Sequence, residues 1–139
     1  MDLIAYFQNA RKKLVVPAGR TLFEESDAGA AMFVLIEGTA SVHIRQTLVE
    51  IARPGTLLGE MSMIDSSPRS ATVLARTECQ FVSIDRREFD LLIRETPAFA
   101  RHVMEIMAER LRGMNERMAA AAASKLVALQ QCAPPAVLQ

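Results

Sequence analysis

Between Lys13 and Ile84 the chain is cut into short β-rich runs by glycine and proline, and no other feature limits its fold as much. The runs fall at residues 14–16, 21–23, 32–36, 40–44, 48–51, 72–74 and 81–84. Pro17-Ala18-Gly19, Asp27-Ala28-Gly29, Gly38 and Pro54-Gly55 stand between them. Glycine permits positive φ there, and proline withholds an N–H that a central strand would need. Seven such runs predict an all-β sandwich or barrel. Ahead of them, residues 1–10 carry apolar side chains at helical intervals and predict a short opening helix. At Asp85 the period becomes helical. Asp85 is placed to cap a helix over 86–94, and Thr96-Pro97 opens a second helix with no proline before Pro134. Gly113 is its one weak spot.

A chain of 139 residues can bury roughly two-thirds of its unfolded surface, so this fold needs no disulfide or metal. Sixteen basic and sixteen acidic side chains cancel, and Arg11-Lys12-Lys13 is the largest basic block. That balance argues against a nucleic-acid partner. No apolar run approaches the ~20 residues of a membrane span, and Met1-Asp2-Leu3 does not start a signal peptide. The expectation is a cytoplasmic protein with no membrane partner. Cys79 and Cys132 fit no zinc spacing; both are read as reduced, Cys79 as a core residue. His43 and His102 lie far apart with no His-x-His, which argues against a cupin-like metalloenzyme. Serines 66, 67 and 70 have no histidine partner in their motif, so no catalytic residue and no metal is expected.

The segment 59–75 interrupts the β pattern, and such an interruption usually has a purpose. Gly59 lets a backbone come close to something, and residues 60–64 suffice for one or two helical turns. A helix start presents unpaired N–H donors and the positive end of a dipole, which suits a phosphate. Arg69 and Ser70 follow Pro68, and a guanidinium matches two phosphate oxygens in a fork. Glu60 would repel phosphate but accepts well from a sugar hydroxyl. The combination reads as a sugar-phosphate pocket. The alternative is a plain turn in which Glu60 and Arg69 form a surface ion pair.

These residues resemble the cyclic nucleotide-binding domains of bacterial catabolite activators, cyclic-nucleotide-dependent kinases and gated channels. Gly59-Glu60 and Arg69-Ser70-Ala71 match that family's phosphate-binding cassette in identity and spacing, and Pro68 and Thr72-Val73 look like its kinase version. Upstream, residues 17–23, Asp27, residues 32–35 and Glu37-Gly38 resemble its opening strands in order. Leu58 stands where the family usually has Phe, and the connection over 44–47 is short.

The resemblance implies a mainly β fold with flanking helices. This is a double-stranded β-helix, or jelly-roll barrel, with a short N-terminal helix, a cassette helix and a long C-terminal helix. One domain would span 1–139, divided into an N-terminal helix at 1–10, a barrel at 11–84 with its cassette at 59–71, helices at 85–130 and a tail at 131–139. The ligand implied is cyclic AMP, preferred over cyclic GMP, with no further cofactor. Arg69 would pair with the cyclic phosphate, Ser70 would add its hydroxyl and amide beside Ala71, and amides around Gly59, Met61 and Ser62 would complete the cradle. Glu60 would accept from the ribose 2′-hydroxyl. The base would meet the long helix, where Arg110, Met114 and Asn115 are candidates.

The long helix also carries heptads, with Met104, Leu111 and Met118 at a and Ala100, Met107, Met114 and Ala121 at d. They read as a homodimer seam, since Phe99, Val103 and Ile106 offer a separate face for packing on the barrel. Methionine makes the seam soft, which suits a switch. The residues after the long helix are nearly uncharged, with a double proline, and do not suit a helix-turn-helix. The expectation is a stand-alone sensor whose packing changes on binding and which signals through a protein partner. The other reading is a ligand-free dimerisation module.

Overall fold

The hairpin β4(Ala40–Ile44)–β5(Thr47–Ala52) shows how local chemistry and fold meet in this protein. Only Arg45 and Gln46 connect the strands, and both have positive φ, +49° and +67°. A two-residue turn with both residues left-handed matches the twist of the strands it joins, and Asn-Gly fills it with least strain. Arg45 and Gln46 therefore hold this turn against their preference. Replacing the pair by Asn-Gly should stabilise the protein by about 1 kcal/mol. A urea midpoint that stays put or falls would show that these side chains contribute what the strain takes away.

The remaining strands are β1(Lys13–Val16), β2(Thr21–Phe23), β3(Ala31–Glu37), β6(Leu57–Leu58), β7(Thr72–Ala75) and β8(Cys79–Asp85). In the computed structural model, which describes residues 1–132, they form two four-stranded antiparallel sheets. The order is β1-β8-β3-β6 in one and β2-β7-β4-β5 in the other. The expected barrel is corrected here: the sheets do not close but form a jelly-roll-like sandwich. Val16, Phe33, Leu35 and Phe81 from one sheet and Ala40, Val42, Ala52 and Val73 from the other share one buried cluster. Leu58 is 3% exposed and pairs with Phe33, so a leucine fills the place of the family's usual phenylalanine inside the core. Cys79 is buried and Cys132 exposed, both unbridged.

Helix α1(Leu3–Phe7) is shorter than the 1–10 expected, with Asp2 accepting from the Ala5 N–H at 3.1 Å. Helix α3(Arg86–Glu95) starts where Asp85 predicts, its carboxylate accepting from the Glu88 N–H at 2.8 Å. That bond holds the Asp85 pKa below the usual carboxylate range. Phe99 is fully buried, with Phe7 and Phe89 each edge-on to its ring at 6.2 Å.

Helix α4 runs Pro97–Cys132, and the chain divides within it into two compact units, Met1–Ala100 and Arg101–Gln139. In the second unit Met104, Leu111, Met114 and Met118 are all more than half exposed, while Val103 is buried. The heptad stripe is thus an uncovered apolar face. The tail expected from Pro134 onward lies outside the described residues.

Candidate functional site

Two strand ends and a short helix surround one buried arginine. Helix α2(Glu60–Asp65) begins at Gly59, whose φ of +79° is the left-handed conformation glycine adopts freely. Gly59 has no side chain and so makes no side-chain cap bond to the helix. Antiparallel pairing of β6 with β3 carries Gly59, just past Leu58, toward the start of β3, where the Ala31 carbonyl lies close to it. Arg69 arrives from the opposite sheet, three residues before β7. Its main chain is pinned to the β2–β3 connection: Arg69 N–H donates to Asp27 O at 2.8 Å, and Ser26 N–H donates to Arg69 O at 2.9 Å.

The Arg69 side chain then crosses to the other sheet and is 6% exposed. Nη1 donates to Gly59 O at 3.2 Å and Nη2 to Ala31 O at 2.5 Å. Its Cζ lies 4.2 Å from the centroid of the Phe23 ring and 5.7 Å from that of Phe33. Nε is buried and has no hydrogen-bond partner. Asp27, whose carbonyl also pins the Arg69 main chain, is a carboxylate whose charge acts on the guanidinium. Burial pushes the guanidinium pKa down and the charge of Asp27 pulls it up, yet a guanidinium remains protonated at any physiological pH. The fold therefore holds a desolvated cation facing backbone carbonyls and aromatic rings. This is an unfavourable arrangement until an anion joins it.

Glu60 is 1% exposed and Ser62 is 2% exposed. With Arg69 also buried, the surface ion pair offered as the alternative for this turn is excluded. A Cβ on Gly29 would lie 2.5 Å from Ser62 Cβ and Oγ, so the β2–β3 connection presses directly on α2. Met61 and Ser70 stand exposed on one side, the Ser70 hydroxyl 3.8 Å from Met61 Sδ. Ala71 is half-buried at the entry to β7. At the far end of α2, Ser66 closes the helix in the left-handed conformation, and the Arg86 guanidinium donates to Ser66 Oγ at 2.7 Å and Ser62 O at 3.2 Å. One arginine from the first turn of α3 thus fastens the end of the cassette helix. Asn115 is exposed on α4, in the second unit.

The cassette residues 59–71 accordingly gather in the first unit. Phe23, Phe33, the Ala31 carbonyl and Arg86 are the partners that sequence reasoning missed. Carbonyl acceptors leave no trace in a sequence, and a phenylalanine ending a strand looks like core. Among the described residues no group of three or more His, Cys, Asp or Glu could hold a metal ion, and no helix is long and apolar enough to cross a membrane.

Comparison with known proteins gives a consistent result. The family model of the cyclic nucleotide-binding domain matches residues 13–96. A CRP-like cAMP-activated global transcriptional regulator of Mycobacterium tuberculosis is 30% identical over 108 residues, 74% of this chain and 48% of that protein. A cyclic nucleotide-gated potassium channel of Rhizobium etli is 34% identical over 104 residues, covering 75% of this chain and 29% of its own. The crystal structure of the Thermus thermophilus catabolite activator protein superposes with a TM-score of 0.73 at 26% identity, over 80% of this chain and 55% of its own. The chain spans about half the length of these regulators, and less of the channel.

Proposed function

Because the chain belongs to the cyclic nucleotide-binding domain family, we propose that it is a cyclic nucleotide sensor, with cyclic AMP preferred over cyclic GMP, that signals through a protein partner. The observation that carries this reading is Arg69: a guanidinium 6% exposed, with a buried Nε that has no hydrogen-bond partner. A singly charged cyclic phosphate supplies an anion and two acceptor oxygens for the fork. In this reading Ser70 adds its hydroxyl and amide beside Ala71, and the amides of Gly59, Met61 and Ser62 face the phosphate. Glu60 accepts from the ribose 2′-hydroxyl, and Asn115 is the candidate for the base. The names of the relatives support it, one cAMP-activated and one cyclic nucleotide-gated. The reading assigns binding and no chemical step. It also assigns a cytoplasmic setting with no nucleic-acid or membrane partner.

Calorimetry of the purified protein with cyclic AMP, cyclic GMP and linear 5′-AMP tests this directly. Both cyclic nucleotides should bind, cyclic AMP more tightly, and 5′-AMP much more weakly. Heats at the dilution baseline for both cyclic nucleotides would sink the reading and leave a ligand-free dimerisation module.

The uncovered stripe of Met104, Leu111, Met114 and Met118 favours a second copy of this chain as the partner of α4. Leu111→Glu places like charges across a symmetric seam and should convert dimers to monomers in sedimentation, with the sandwich still folded. A variant that still sediments as a dimer moves the interface off this stripe.

A further inference from the structure

The Arg69 guanidinium lies over an aromatic ring. Phe23 lies 4.2 Å below it and is itself tilted against Phe33, the two ring centroids 6.1 Å apart. Attraction of the cation to the ring needs no hydrogen-bond acceptor, so it leaves the guanidinium's five N–H groups for other partners. Two of those groups hold Gly59 O and Ala31 O, and the Nε–H edge stays unpaired within a buried side chain. A carboxylate partner would fix the same side chain but would neutralise it and occupy the fork. An aromatic face fixes it and leaves both charge and donors available.

We propose that Phe23 is a positioning residue for the anion site: its ring holds the Arg69 guanidinium in place, so that the Nε–H edge is set for the phosphate before ligand arrives. The inference rests on the cyclic nucleotide reading above. Phe23 ends β2 opposite Val73 of β7, so the sheet register itself brings the ring under an arginine that enters β7. Without the ring, Arg69 regains rotamers that the ligand must freeze, a penalty of about three- to tenfold in affinity.

The test uses the whole chain with the Phe23→Leu and Phe23→Tyr variants and with 3,5-difluorophenylalanine at position 23. Cyclic AMP affinity should fall about three- to tenfold for leucine. It should fall measurably for the fluorinated ring, which keeps the shape but loses the negative face, and it should stay near wild type for tyrosine. Packing alone would leave the fluorinated protein unchanged, and that result overturns the proposal. The ligand-free protein gives a second readout, because the Arg69 Nε–H proton should be shifted upfield by the Phe23 ring current and lose that shift in Phe23→Leu. An unshifted signal in the wild type overturns the stack whatever the ligand. If the stack is seen but no cyclic nucleotide binds, the functional reading fails and the anion role of Phe23 falls with it. If wild type binds and all three variants match it, the functional reading stands and the positioning role is wrong.

Discussion

Arg69→Ala should weaken cyclic AMP binding at least tenfold, about 1.4 kcal/mol, while the ligand-free protein remains folded. Two opposing terms act on the free protein. The substitution strips the carbonyls of Gly59 and Ala31 of their donor, which destabilises. It also removes a buried cation whose desolvation outweighs its attraction to Asp27, which stabilises. The bound state has no such compensation, since the phosphate loses its only side-chain cation among residues 59–71. Arg69→Lys should fall between, keeping the charge without the planar fork. Glu60→Gln should be milder, because an amide oxygen still accepts from a hydroxyl. Ligand should also raise the melting temperature of wild type, by the equivalent of about 2.7 kcal/mol at a hundred times Kd, and much less for Arg69→Ala at the same concentration. If wild type and Arg69→Ala titrate alike, the pocket has been misassigned.

Gly59→Ala should remove binding as thoroughly and destabilise the fold as well. At φ +79° an L residue is strained by about 1–2 kcal/mol. The new Cβ would also run into Arg69 Nη1 and come within 3.3 Å of Ala31 O. To relieve this the guanidinium must leave the carbonyl it holds, and with it the place set by Phe23. Gly113→Ala is the matched control. Its Cβ would meet nothing nearer than Arg117 Nη1 at 4.0 Å inside α4, so it should stabilise by about 0.5–1 kcal/mol through helix propensity. The same added methyl thus acts in opposite directions at the two glycines. A Gly59→Ala protein with wild-type melting temperature and affinity would mean that the cassette tolerates a rearrangement of α2.

The cyclic phosphate keeps one negative charge and Arg69 stays protonated, so this pair gives no pH dependence between about pH 6 and 9. Any slope there must come from other groups.

Much of this protein is legible in its residues. Seven of the eight strands stand out as short β-rich runs, several of them bounded by glycine or proline, Asp85 marks the start of α3, and Thr96-Pro97 marks the start of α4. All three signals are local, acting within a few residues of where they stand. The missed strand, Leu57–Leu58, is two residues long, and it exists because β3 offers it a partner. The cassette motif is visible because a helix start, an arginine and a carboxylate must keep a spacing along the chain.

Other features belong to the tertiary structure because they join residues distant in sequence. Whether eight strands close into a barrel or stack as two sheets depends on pairings across the whole domain, and a pattern of inward and outward residues suits both. The surface pairing of Glu60 with Arg69 is a fair reading of spacing alone, but burial of both side chains excludes it. Only the packed sandwich brings Phe23, Ala31 and Gly59 around a guanidinium that follows them by 10 to 46 positions in the chain. Sequence by itself determined which residues carry charge and where the backbone can turn. The fold decided that Arg69 would be buried with its Nε unpartnered, and the physical reason is that desolvation depends on everything packed around a group, most of it distant along the chain.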